Sequence, residues 1–384
     1  MDKKKSVYCL ILFFCILLFS CRDDMQIMLA EYENLSFSPE ENSNPRGMYI
    51  LNEGNMGSNR ATIDYVDFRS ATYIRDLYAE RNPNVVMELG DVGNDIQLYG
   101  NKLYAVLNCS HKVEVMDAYT CERIAQIDIS NGRFIRFHEG NAYITSYIGP
   151  VGMNSGAEYG AVFRVDTTNF EITGEVTVGY QPDELEIVGN YIYVANSGGY
   201  RSPDYDHTVS VIDIGTFKQV AKIPVGVNLQ RIRKDKYNKL WITSRGNYKD
   251  IPPKIYVLEP GNNHPQQMVV SDSLDIPCSN WCLSGDSIYF FGAKEEKPIF
   301  GIIDINNRQL VSEQLITDGT ESEFQNLSGI LKNPENGDLF ISDAKNYVSS
   351  GFLFCYDKEG KQKWKVKTGH IPAHLTLFYQ TETN

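Results

Sequence analysis

The chain has 384 residues, 36 Lys plus Arg against 49 Asp plus Glu, a net charge of -13, and 42% hydrophobic and 12% aromatic side chains. That length can bury a large core, and that composition excludes a disordered or collagen-like chain. The acidic balance argues against a nucleic-acid partner, which would require a basic face.

Lys3, Lys4 and Lys5 precede an almost uninterrupted apolar run from Val7 to Phe19. The run is short for a bilayer span and charge follows it at once, so residues 1–20 read as a signal peptide. Leu18-Phe19-Ser20-Cys21 resembles the bacterial lipobox, which implies acylation at Cys21. The acidic pair Asp23-Asp24 that follows resembles the export signal of Gram-negative surface lipoproteins, so the expected location is the outer face of the outer membrane, held by lipid. Residues 21–47 are polar, contain Pro39 and Pro45 and hold no sustained period, and are expected to form a flexible tether.

From Met48 onward one short strand recurs seven times, with an aromatic centre at Tyr49, Tyr104, Tyr143, Tyr193, Trp241, Tyr289 and Phe340. Ile192-Tyr193-Val194-Ala195 and Leu240-Trp241-Ile242-Thr243 show the form. A second strand follows each copy and ends in an acid: Asp67, Asp117, Asp166, Asp213, Glu259, Asp304 or Asp357. Turn pairs such as Gly140-Asn141 and Gly189-Asn190 precede most aromatic strands and suit tight hairpins. Two markers recurring in register predict an all-β fold, a seven-bladed β-propeller of four-stranded antiparallel blades over residues 48–384.

The first blade lacks an opening strand, because the tether leads straight into Met48. Gly369-His370-Ile371-Pro372-Ala373-His374-Leu375 repeats the pattern of Gly179-Tyr180-Gln181-Pro182-Asp183-Glu184-Leu185, which opens a blade. The C-terminal strand from His374 to Phe378 is therefore expected to close the ring and remove a sheet edge.

Tyr193-Val194-Ala195-Asn196, Thr208 to Asp213 and Lys222-Ile223-Pro224-Val225-Gly226 together resemble the YVTN/YncE-like propeller repeat. With the lipobox and the acidic export signal, the chain resembles the BtuG-type surface lipoproteins. That resemblance implies capture of cobalamin, or a related corrinoid, and its transfer to a TonB-dependent outer-membrane transporter. The corrinoid would be a transported ligand, and no cofactor is expected. Capture of another transporter substrate, a siderophore or a glycan, stays open at this point, as does a propeller hydrolase or lactonase.

Recognisable catalytic or metal-binding motifs are missing from the sequence, so the expectation is a non-enzymatic protein. The six His are scattered apart from His370 and His374, and the repeat acids sit where a carboxylate accepts backbone N–H bonds in a turn. Besides Cys21, Cys109, Cys121, Cys278, Cys282 and Cys355 read as mostly free, buried thiols, with a bridge between Cys278 and Cys282 left open.

In a propeller the loops after the aromatic strands share one face with the connections between blades, around the channel mouth. Loop candidates for ligand contact are Asn52, Glu53, Tyr159, Asn196, Tyr200, Arg201, Tyr205, Arg245, Tyr248 and Tyr347. The inter-blade connections add Asn94, Asp95, Arg133, Tyr180 and Trp281. Tyr and Trp offer flat, rigid contact area, and the amide and charged groups can bond a carboxamide rim.

Overall fold

The computed structural model describes residues 29–85, 89–149, 157–261 and 264–380. The signal peptide and Cys21 lie outside these. Seven antiparallel sheets form the seven blades of a propeller. In blade 4, for example, Pro182–Val188, Tyr191–Asn196, Thr208–Asp213 and Lys218–Pro224 run in order from the axis outward. Blades 2, 3, 5, 6 and 7 begin at the axis with Gly93–Tyr99, Gly132–His138, Leu229–Lys234, Cys278–Ser284 and Leu327–Lys332.

The ring closes as expected. Pro372–Phe378 pairs antiparallel with Gly47–Asn52, bringing Leu375 opposite Ile50 and Phe378 opposite Gly47. The last strand in the chain thus supplies the innermost strand of blade 1.

Middle strands are buried on both faces because each blade is sandwiched between two others. Lys102–Leu107 and Tyr191–Asn196 are buried along nearly their whole length, whereas the outer strand Lys218–Pro224 is mostly exposed. Seven apolar clusters fill the seven gaps between blades. The repeat aromatics are their bulk: Tyr49, Tyr104, Tyr143, Tyr193, Trp241 and Phe340 are fully enclosed, and Tyr289 is partly so.

The repeat acids turn the chain at the ends of the third strands. Asp166 accepts from the backbone N–H groups of Thr168 and Asn169, and Asp304 from those of Asn306 and Asn307. Glu259 differs, since its longer side chain reaches Lys239 and Arg308 instead. All five described cysteines are free thiols.

One segment departs from the sequence reading. The described part of the expected tether is folded onto the propeller: Glu31–Asn34 adds a fifth strand to blade 1 by pairing with Thr72–Arg75. Leu35 is buried, and Phe37 stacks on Trp364 of blade 7 with ring centroids 6.1 Å apart. Tyr32 donates to Glu80 at 2.8 Å, and Glu80 belongs to the short helix Leu77–Arg81 that links blades 1 and 2. The reason is physical. The outer strand of blade 1 has only four residues, and a short added strand covers its open edge.

Candidate functional site

Antiparallel strands alternate in direction, so the loops after the second strands and the connections between blades emerge on one face. A cleft of about 480 Å³ opens there, lined by Glu53, Asn131, Arg133, Tyr147, Tyr200 and Ile371 among others. Arg133 is on its lining, near the start of the innermost strand of blade 3. Its guanidinium donates to Asn94 Oδ1 at 2.8 Å and to Asp183 Oδ1 at 3.4 Å, beneath the Tyr147 ring at 4.8 Å. Asp183 Oδ2 in turn accepts from Arg245 at 3.3 Å. Asn94, Arg133, Asp183 and Arg245 thus form a polar belt across blades 2 to 5.

Burial works against a charged Arg133, yet Tyr147 and Asp183 outweigh it and the guanidinium is held above its ordinary range. Burial also pushes the Tyr147 hydroxyl up to about 12, so it remains a neutral donor at physiological pH. Glu53 on the cleft lining pairs at 3.1 Å with His374, which lines the axial channel.

Tyrosines continue the mouth over blades 3 to 5. Tyr147 meets Tyr200 edge-on at 6.3 Å. Tyr159 stacks on Tyr180 with centroids 4.3 Å apart, the Arg201 guanidinium covers Tyr180 at 3.6 Å, and Lys222 covers Tyr159 at 5.0 Å. Tyr205 meets Tyr248 at 6.3 Å, and Tyr248 is 71% exposed. Local geometry holds these rings: the Tyr200 N–H donates to Gln181 Oε1 at 2.7 Å, and Arg201 donates to the Asp204 carbonyl at 2.6 Å.

A family model described as "Domain of unknown function (DUF5074)" matches residues 46–373, from blade 1 to the closing strand. The chain belongs to the DUF5074 family. No curated protein matches it. Among solved structures, a Bacteroides fragilis protein provisionally titled a 6-phosphogluconolactonase is similar at 10% identity and a TM-score of 0.58, over 88% of this chain and 99% of that one. A quinonprotein alcohol dehydrogenase-like protein from Bacteroides thetaiotaomicron is similar at 14% identity and a TM-score of 0.57, over 88% and 79%. A computationally designed protein, Ika8, is similar at 12% identity and a TM-score of 0.52, over 91% and 100%. At such identities these likenesses concern the fold alone.

In this DUF5074 chain, Glu53, Asn94, Arg133, Tyr159, Tyr180, Tyr200, Arg201, Tyr205, Arg245 and Tyr248 are brought together around the mouth, in the cleft, the belt or the tyrosine pairs. Tyr347, on blade 7, is exposed and lines a separate hollow with Gln325 and Asn326. Four residues expected at the mouth are turned elsewhere. Asn52 is buried and donates to Asp64 at 2.7 Å, and Asn196 is buried and donates to Thr208 and Ser210 at 3.1 and 3.0 Å, so both tie their own blades. Asp95 lies deeper in the channel, accepting from Arg136 at 2.9 Å. The Trp281 ring is packed in the core between blades 5 and 6. An innermost strand alternates its side chains between the axis and the neighbouring blade, and the Trp281 ring faces the neighbour.

Sequence reasoning overlooked Tyr147, Asp183 and the channel residues Arg136, Glu184, Arg231 and Arg233. A signal existed: Arg231-Ile232-Arg233 and Asp183-Glu184 put charge on strands next to the axis, where an apolar environment would otherwise be expected. Among the described residues no group of three or more His, Cys, Asp or Glu is arranged to hold a metal ion.

Proposed function

We propose that this protein is a non-enzymatic, lipid-anchored surface protein that captures cobalamin or a related corrinoid at its tyrosine-rimmed mouth and passes it to a TonB-dependent outer-membrane transporter. The observation that carries the reading is the cleft lined by Arg133, Tyr147 and Tyr200, with the exposed ring of Tyr248 on the same face. Flat, rigid rings lose little entropy on binding a broad planar ligand, and the surrounding guanidinium and amide groups complement a carboxamide rim.

Two features favour capture over the alternatives. Trp241, Trp281 and Trp364 are all buried, so a sugar would find no tryptophan shelf at this face. Of Asn52, Glu53, Asn196 and Asp343, the set that could converge on a hydrolytic metal, Asn52, Asn196 and Asp343 are bonded within or beside their own blades, and Glu53, which lines the cleft, is paired with His374.

Isothermal titration with cyanocobalamin, without added metal, is expected to give saturable binding that weakens in Tyr200→Ala. No heat and no thermal shift at tens of micromolar ligand, an affinity limit on the order of -6 kcal/mol, would sink the corrinoid reading. The anchor has its own test: Cys21→Ala should release the protein from carbonate-washed membranes, and intact cells treated with protease should lose the wild-type protein.

A further inference from the structure

The axis of the propeller holds a second cavity, of about 430 Å³, that is distinct from the cleft at the mouth and lies within the usual size range of small-molecule pockets. It descends from Asp95, Glu184 and Arg231 to Lys234, Leu377 and Tyr379, so it opens on the face opposite the tyrosines. Its charges do not balance. Asp95 pairs with Arg136 at 2.9 Å, Glu184 with Arg136 at 2.5 Å and Arg233 at 3.2 Å, and Glu186 with Lys234 at 3.8 Å. Three carboxylates therefore meet four cations on this lining, and the cation left over is Arg231.

Arg231 is only 8% exposed, and its Nε is sealed from solvent with no hydrogen-bond partner among the described residues. The contact its guanidinium does make is with the face of Phe134, at 5.0 Å. Its backbone N–H donates to Thr243 at 3.1 Å, which fixes the strand and leaves the guanidinium at the cavity wall. Burial lowers the guanidinium from its usual pKa, Glu184 opposing and Arg233 reinforcing that effect. A buried, unpaired charge is costly unless something neutralises it.

We infer that this axial cavity is a binding site for an oxyanion group, a phosphate or a carboxylate, with Arg231 as the principal ligand and Arg136 and Arg233 flanking it. A planar guanidinium with free donors matches such a group in a bidentate fork, and chloride offers no second acceptor atom. The lining carries an excess of one positive charge, at the axis of a chain whose overall charge is -13. It is independent of the corrinoid reading.

The test is thermal unfolding of the purified protein in inorganic phosphate, in succinate and in chloride at matched ionic strength. A rise of about 3 °C near saturation is expected in phosphate or succinate relative to chloride, and the larger of the two shifts identifies the preferred oxyanion. Arg231→Met should lose the rise and keep its cyanocobalamin titration, whereas Arg231→Lys should keep part of it. Equal midpoints in all three salts, or an undiminished rise in Arg231→Met, would overturn the inference. Should Arg231→Met not fold, phosphorus NMR decides: the wild-type protein should broaden the phosphate line, excess succinate should restore it and excess chloride should not. A line that never broadens and a midpoint that succinate does not move also overturn it.

Discussion

Gly179 lies so close to Asn196 that a Cβ on the glycine would stand 2.3 Å from the Asn196 side-chain carbon. Gly179 ends blade 3 and Asn196 ends the second strand of blade 4, and the glycine N–H donates to Asn196 Oδ1 at 3.1 Å. The same joint recurs at ring closure, where a Cβ on Gly369 would stand 2.7 Å from Asn52 and the Gly369 N–H donates to Asp64 at 3.1 Å. Gln181 and Ile371 follow in left-handed conformations, at φ 46° and 58°, before Pro182 and Pro372. The shared sequence pattern is thus a device that turns the chain from one blade into the next.

Gly179→Ala should lower the unfolding free energy by roughly 1–3 kcal/mol through overpacking of backbone against Asn196. Gly215→Ala is the control, because a Cβ there meets nothing closer than 3.6 Å. Urea unfolding midpoints separate the two; equal midpoints would remove the joint from the account.

Deletion of residues 372–384 removes the innermost strand of blade 1 and exposes both Gly47–Asn52 and the apolar side of blade 7. The expected result is loss of cooperative unfolding or of solubility, because open edges invite pairing between chains. A soluble truncation with an unchanged urea midpoint would argue against closure by this strand.

Tyr193→Ala should cost roughly 3–5 kcal/mol, since the ring is fully buried between blades 4 and 5. Tyr248→Ala, at the exposed mouth, should change stability by less than about 0.5 kcal/mol. Paired denaturant titrations check both, and a destabilised Tyr248→Ala would mean that the mouth is part of the folding core.

His370 sits at the seam between blades 7 and 1, with Nδ1 buried and without a hydrogen-bond partner among the described residues. Burial, helped by Arg60 and Lys367, holds its pKa below the usual histidine value. The unfolded chain therefore takes up a proton first as pH falls below about 6.5, and stability present above that pH is lost as pH falls toward the lower, folded value. His370→Gln should make the decline in urea midpoint between pH 7 and 5 shallower; an unchanged slope would assign the decline to other groups.

The blade number, the strand order and the closing strand were legible in the chain because they rest on local periodicity. An aromatic centre such as Tyr193, an acid such as Asp213 and, in most repeats, a turn pair such as Gly189-Asn190 recur in the same order along the chain. Tyr159, Tyr200, Tyr205 and Tyr248 were legible for a similar reason, since strand alternation decides which loops share a face, whereas Tyr147 was overlooked and Tyr347 lines a separate hollow. What each side chain meets was decided by the closed ring. Trp281 and Asn280 are adjacent in sequence, yet Trp281 is packed into the blade 5–6 interface while Asn280 lines the axial cavity. Leu35 and Phe37 looked like tether until the short edge of blade 1 and Trp364 gave them an apolar surface to cover. Arg231 and Glu184 are 47 positions apart, and only the convergence of seven innermost strands on one axis sets their charges in a single cavity and leaves Arg231 without an ion-pair partner among the described residues. Periodicity is a property of neighbours along the chain, whereas charge balance at the axis belongs to residues a whole blade apart.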